Sequence, residues 1–122
     1  MEPRVSEAEL EIMEALWAAD EPQTAAAVSE AVSERGWSLP TVKTMLSRLV
    51  QKGAAAYEAD GRRYLYRPEI ERDAYVGHES RRLVDRLFGG KLSPMIARLA
   101  EDEAISDAEI AEIEALLKEL KQ

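Results

Sequence analysis

Residues 37–53 read W-S-L-P-T-V-K-T-M-L-S-R-L-V-Q-K-G, and the fold turns on this stretch. Ser38 can cap a helix by accepting a hydrogen bond from a free backbone N–H, and Leu39 and Pro40 then occupy the first turn, where a missing N–H does little harm. Gly53 ends the helix, since glycine takes the left-handed C-terminal position without strain. At about 100° per residue, Val42, Met45, Leu46, Leu49 and Val50 form one apolar stripe. The opposite side carries Thr41, Lys43, Thr44, Ser47, Arg48 and Gln51, and no acidic residue occurs from Trp37 to Tyr57. One face is suited to a core and the other to phosphates and base edges, the pattern of a DNA recognition helix. An ordinary surface helix also has a polar face, so the neighbouring segments decide.

Upstream, Ser6-Glu7-Ala8-Glu9 is a capping box that opens a first helix, with Leu10, Met13, Leu16 and Trp17 at helical spacing. Asp20-Glu21-Pro22 breaks that helix near Ala19. A second, alanine-rich helix is expected over residues 24–35, facing Ala27, Val28, Ala31 and Val32 inward, and Gly36 stops it. Two short helices joined by a tight turn, the second with a basic exposed face, form a helix-turn-helix.

Downstream, residues 54–59 and 62–67 read as two strands around Asp60-Gly61. Tyr64 and Tyr66 alternate with Arg63, Leu65 and Arg67, giving one aromatic and one mainly basic face. A hairpin with Arg62 and Arg63 at its turn, placed directly after a recognition helix, is the wing of a winged helix, and its arginines are expected to meet phosphates. A long helix over residues 69–88 follows, with Leu83, Val84, Leu87 and Phe88 near its end, then a Gly89-Gly90 break and a helix over residues 92–103. A second capping box, Ser106-Asp107-Ala108-Glu109, opens the last helix. There, Ile110, Ile113, Leu117 and Leu120 make a coiled-coil-like seam. Some 50 residues in three helices hold too little mass for an independent core, so self-association is expected to supply the missing burial.

The fold expected is therefore mainly α with a small β-hairpin: a winged helix-turn-helix domain over residues 1–70 and a C-terminal three-helix dimerisation domain over residues 71–122. The dimer seam is drawn from Leu83, Leu87, Phe88, Ile110, Ile113, Leu117 and Leu120. The net charge of −8 over 122 residues argues at first against a nucleic-acid partner, but its distribution argues for one. Residues 1–34 hold nine acids and one base, and residues 99–122 eight acids and two bases; residues 37–68 hold six bases against Glu58 and Asp60. Polyanion binding follows the local field, not the sum.

Catalytic patterns are missing. His78, the single histidine, has no second ligand in a recognisable spacing, and Ser6, Ser38 and Ser106 are explained as caps. No glycine-rich phosphate loop occurs, and Glu101-Asp102-Glu103 lacks metal-loop spacing. The chain has no cysteine, which excludes thiolate metal sites. No metal, cofactor or enzymatic activity is expected. No apolar run approaches the roughly 20 residues of a membrane span, and the N-terminus lacks a signal-peptide pattern, so a cytoplasmic protein is expected.

The succession S-E-A-E-L-E-I-M-E-A-L-W, W-S-L-P-T-V-K-T-M-L-S-R-L-V-Q-K-G and G-R-R-Y-L-Y-R-P resembles the penicillinase-repressor (BlaI, MecI and CopY) family, nearly end to end. The resemblance implies a homodimeric repressor whose winged helices sit on an operator palindrome with TACA/TGTA-like half-sites, its C-terminal helices intertwined. Position by position, Thr41, Lys43, Thr44, Ser47 and Arg48 match the family's DNA-facing residues, whereas Pro40 stands where close relatives often carry a base. The copper branch binds metal through paired cysteines, which this chain lacks. In the antibiotic branch a membrane sensor-transducer protease signals, and the repressor is cut at an Asn-Phe bond; Arg98–Leu99 is the corresponding pair. Two other readings stay open: a winged-helix protein-protein interaction module, whose basic stripe meets an acidic partner, and a ligand-sensing winged-helix regulator, which would need a pocket between the halves.

Overall fold

The computed structural model describes residues 3–122. Its elements in order are helix α1 (Glu7–Ala18), helix α2 (Ala25–Ala31), helix α3 (Leu39–Lys52), strands β1 (Ala55–Asp60) and β2 (Arg63–Pro68), and helices α4 (Arg72–Phe88), α5 (Leu92–Glu101) and α6 (Asp107–Leu120). They form two compact units, one extending to His78 and the other spanning Glu79–Gln122. No helix among the described residues is long and apolar enough to cross a membrane.

Local capping chemistry explains the starts of α1, α2 and α3. The hydroxyls of Ser6, Thr24 and Ser38 accept from the backbone N–H of Glu9, Ala27 and Thr41 respectively, which satisfies donors that a helix N-terminus otherwise leaves unpaired. At Ser6 the box closes both ways, the Glu9 carboxylate accepting from the Ser6 N–H at 2.8 Å. Gly53 ends α3 in the left-handed region, at φ 83°. Helix α2 is shorter than its alanines suggest. It ends at Ala31, and Ser33–Arg35 tighten into a 3-10 turn before Gly36.

The core of the first unit lies between α1, α2, α3 and the hairpin. Ile12, Met13, Leu16, Val28, Val42, Leu46 and Leu49 are the largest side chains sealed inside it. On α3 the stripe Val42, Met45, Leu46 and Leu49 is buried as its spacing predicts, with Val50 half-buried. On α2 the expected inward set needs correction. Ala27 and Ala31 are exposed, and Ala25 is buried with Val28 and Val32. Ala25, Val28 and Val32 recur at spacings of three and four and share the core face, whereas Ala27 and Ala31 lie one position off it.

Strands β1 and β2 pair antiparallel, Ala55 opposite Pro68 and Asp60 opposite Arg63. Gln23, in the connection between α1 and α2, pairs with Tyr66 through two backbone bonds of 2.8 and 2.7 Å. This bridge gives a two-stranded hairpin a third backbone anchor, and isolated hairpins are only marginally stable. The start of α4 is tied to α1: the Trp17 indole N–H donates to the Ile70 carbonyl at 2.9 Å, Arg72 holds Glu14 through two bonds, and Tyr75 packs at 5.9 Å from Trp17.

In the second unit, no residue from Glu79 to Gln122 is buried. Of the expected seam, Phe88 and Ile113 are half-buried, while Leu83, Leu87, Ile110, Leu117 and Leu120 are exposed. Leu92, Leu99 and Leu116 are exposed as well.

Candidate nucleic-acid interface

Every polar residue that the sequence places on the outer side of α3 is exposed: Thr41, Lys43, Thr44, Ser47, Arg48 and Gln51. The buried stripe holds the helix by its other side, so these side chains form one polar arc. Two hydroxyls are already engaged. Thr41 Oγ1 lies 3.0 Å from Ser38 Oγ, and Thr44 donates to the Pro40 carbonyl at 3.0 Å. The back-bond on Thr44 uses its proton and leaves its oxygen lone pairs facing outward, which suits an amino group on a base edge better than a phosphate oxygen.

The six bases of residues 37–68 divide into two groups. Lys52 is bound to Glu9, Arg63 to Asp60 at 3.0 Å, and Arg67 to both Glu58 and Glu69 at 3.7 Å. The side chains of Lys43, Arg48 and Arg62 make no ion pair or hydrogen bond among the described residues. The net positive stretch read from sequence thus resolves into three free cations, two on α3 and one at the wing turn, beside arginines whose charge is locally neutralised. Arg63, expected at the phosphates, is held by the Asp60 carboxylate. Both side chains of that pair are more than half exposed, and such pairs are worth little in water, so Arg63 can exchange partners at small cost.

Lys52 serves a different purpose. Glu9 is only 3 % exposed, and it accepts from both Lys52 Nζ and the Ser6 N–H. Burial pushes its carboxyl up, but the Lys52 hydrogen bond, the Ser6 N–H and the ammonium charge outweigh this together, holding it below its ordinary value. The pair fastens the C-terminal turn of α3 to the N-terminal turn of α1.

Tyr57, Tyr64 and Tyr66 share one face of the hairpin, with ring centroids 4.4 Å apart for Tyr57 and Tyr64 and 5.9 Å for Tyr57 and Tyr66. Tyr66 is buried while the other two are exposed. Burial, then the nearby Tyr64 and Tyr57 hydroxyls, push the Tyr66 phenol above its ordinary value. A groove of about 470 Å³ opens between this face and the start of α3. It brings together Lys43, Arg62 and Arg63, and also Thr24, Leu39 and Tyr64, which the sequence reading did not single out for the site. The signals were there: Thr24 is an N-cap and Tyr64 alternates out of the strand. Thr41, Thr44, Ser47 and Arg48 lie along α3 outside that groove. No group of three or more acidic or histidine side chains among the described residues could hold a metal ion.

An α-helix with its side chains matches the width of the major groove, and a basic hairpin beside it reaches the flanking backbone. Comparison with known proteins leads to the same place. Residues 5–119 match the family model described as penicillinase repressor. The penicillinase repressor of Bacillus licheniformis is 34 % identical over 119 residues, covering 98 % of this chain and 93 % of that protein. The methicillin resistance regulatory protein MecI of Mammaliicoccus sciuri is 25 % identical over 113 residues, covering 93 % and 92 %. The solution structure of monomeric B. licheniformis BlaI in complex with the blaP half-operator superposes with a TM-score of 0.52 at 36 % identity, covering 62 % of this chain and 92 % of that one. With its winged helix and a match running from residue 5 to residue 119, this chain belongs to the penicillinase-repressor family of non-enzymatic, DNA-binding transcriptional repressors.

Proposed function

We propose that the chain acts in the cytoplasm as a homodimer on a palindromic, TACA/TGTA-like operator controlling an antibiotic-resistance response. Residues 1–70 serve as the DNA-binding domain and residues 71–122 as the dimerisation domain. The observation that carries this reading is the set of unpaired cations Lys43, Arg48 and Arg62, on a recognition helix and wing whose other bases are neutralised. Lys43 and Arg48 donate to guanine or phosphate, Thr41, Thr44 and Ser47 meet base edges and backbone, and Arg62 with Arg63 meets phosphates of the flanking groove. Leu83, Leu87, Phe88, Ile110, Ile113, Leu117 and Leu120 pair with a second copy; what supports the dimer is that no residue from Glu79 onward is buried by the chain itself. Joining two winged helices makes the second half-site contact effectively intramolecular, so weak single contacts become a usable joint affinity. Bound at a promoter, the dimer excludes polymerase.

Release follows proteolysis signalled by a membrane sensor protease at Arg98–Leu99. That bond lies inside α5, where Arg98 also reaches Asp102 at 3.5 Å. A protease needs extended backbone, so cleavage requires the last turn of α5 to open first.

The test is a salt titration of the full chain on the palindrome and on a scrambled duplex of equal length. The expected result is preference for the palindrome with two chains per site, and a salt slope that falls by about one for each phosphate contact removed, as in Arg62→Gln. Equal, weak and steeply salt-dependent binding to both duplexes would overturn the operator assignment. Loss of DNA binding in Lys43→Ala and Arg48→Ala separates this reading from a protein-binding winged helix.

A further inference from the structure

The groove between α3 and the wing is built with more apolar surface than a DNA backbone uses. Its walls are Thr24, Ala25 and Ala26 on one side, Leu39 and Lys43 on another, and Arg62, Arg63, Tyr64 and Tyr66 on the third. A phosphodiester needs donors and positive charge; it gains little from a floor of Leu39, Ala25, Ala26 and two tyrosine rings. Leu39 and Tyr64 are exposed there, apolar surface held against water and open to an occupant. Polar groups share that lining with the apolar ones. Lys43 and Arg62 carry uncompensated charge, the Tyr64 phenol can donate, and Thr24 spends an oxygen lone pair on the Ala27 N–H and so keeps its proton to give. At about 470 Å³ the space falls within the range that holds a small organic ligand.

We propose that this groove binds a small aromatic carboxylate, its ring on Leu39 and Tyr64 and its carboxylate between Lys43 and Arg62, and that its occupancy excludes DNA. The groove lies wholly within the first unit, so its filling requires no change in the dimer seam. Two cations that would otherwise meet DNA are neutralised, and a ring stands where the flanking backbone would pass. Ligand binding thus rests on the groove alone; the competition rests on the operator reading above.

The first experiment uses the full chain without DNA, titrated with 2-naphthoate, with neutral 2-naphthamide and with inorganic phosphate, each to about 10 mM, and followed by backbone amide NMR shifts. Saturable shifts with naphthoate, centred on residues 24–26, 39–43 and 62–66, are expected. They should weaken about tenfold in Lys43→Met and several-fold in Leu39→Gln, with naphthamide and phosphate well behind. Equal binding by phosphate would make the groove a backbone phosphate seat and overturn the proposal. So would equal binding by naphthamide, shifts that survive in Lys43→Met, or no saturation. In the second experiment naphthoate displaces a labelled palindrome from the wild-type chain and does so less readily from Leu39→Gln; simultaneous binding of both would overturn the competition. A chain that ignores the palindrome but shows the naphthoate shifts would refute the operator reading and leave the ligand site standing.

Discussion

The two units of this repressor start from the same local instruction and end differently. Ser6-Glu7-Ala8-Glu9 and Ser106-Asp107-Ala108-Glu109 are both capping boxes by sequence, and both serines accept from the N–H three residues on. In the first unit the Glu9 carboxylate turns inward, returns a bond to Ser6 and is clasped by Lys52. In the second, Glu109 stays exposed, as do all three leucines of α6. A cap starts a helix, but what the helix then packs against decides whether the unit is complete. Up to His78 the chain encloses its own apolar stripe; beyond it, the rest of α4 with α5 and α6 encloses none. The first unit has a core of its own, and on the proposed reading the second would borrow stability from association.

That contrast can be broken experimentally, most forcefully in the core. Leu46 and Leu49 are fully buried, so Leu46→Ala or Leu49→Ala is expected to cost about 2–5 kcal/mol in denaturant unfolding. The same truncation at Leu116 should leave unfolding of the first unit within about 0.5 kcal/mol. Assembly should show the reverse. Leu87→Glu with Leu117→Glu is expected to raise the dimer dissociation constant about a hundredfold, near 2.7 kcal/mol, without altering that unfolding transition. Sedimentation velocity checks the first part, and an unchanged mass distribution would move the interface elsewhere.

A smaller effect sharpens the comparison of caps. Lys52→Met leaves Glu9 buried without its cation and should destabilise the first unit by about 2 kcal/mol, below the usual figure for a broken buried pair because Lys52 is partly exposed. The pH dependence has a definite sign. The folded-state value of Glu9 lies below its ordinary 4.5, so the ionised pair stabilises the fold above that pH. The contribution is lost as pH falls through the folded-state value. Wild type and Glu9→Gln should therefore differ at pH 7 and converge on acidification, as read by thermal melts across pH 2.5–7. Smallest are the caps themselves. Ser6→Ala should cost about 1 kcal/mol or somewhat more, since it also loosens Glu9, and Ser106→Ala less than that.

Helix α3 was legible from end to end because its signals are local: Ser38 begins it, Gly53 ends it, and the spacing between them sorts buried from exposed. The hairpin was legible from its alternation and its glycine, but the turn falls one residue later than Asp60-Gly61 suggests, at Gly61-Arg62, because Asp60 pairs with Arg63. What escaped reading depends on distant partners. Nothing near Glu9 announces that Lys52, 43 residues away, will hold it inside, and nothing near Gln23 announces its bridge to Tyr66. Ile12 is sealed in the core, yet the spacing of Leu10, Met13, Leu16 and Trp17 does not single it out, because its place on the wheel matters only once α3 is set against α1. At the interface the sequence marks all the cations alike. The fold divides them, pairing Arg63 and Arg67 with acids on the hairpin and leaving Lys43, Arg48 and Arg62 free.

Both tryptophans and all four tyrosines fall at or before residue 75, and the stretch from Glu79 onward holds Phe88 as its only aromatic residue. Trp37 lies beneath the Arg35 guanidinium, 5.0 Å from its ring centroid, and Trp17 anchors the Ile70 carbonyl. Intrinsic emission from this repressor therefore belongs to the first unit alone. Denaturation followed by fluorescence should yield one concentration-independent transition even where circular dichroism, which sees all the helices, shows a second that shifts with protein concentration. Trp17 in particular watches the segment entering α4, so Trp17→Phe would separate release of that segment from melting around Trp37.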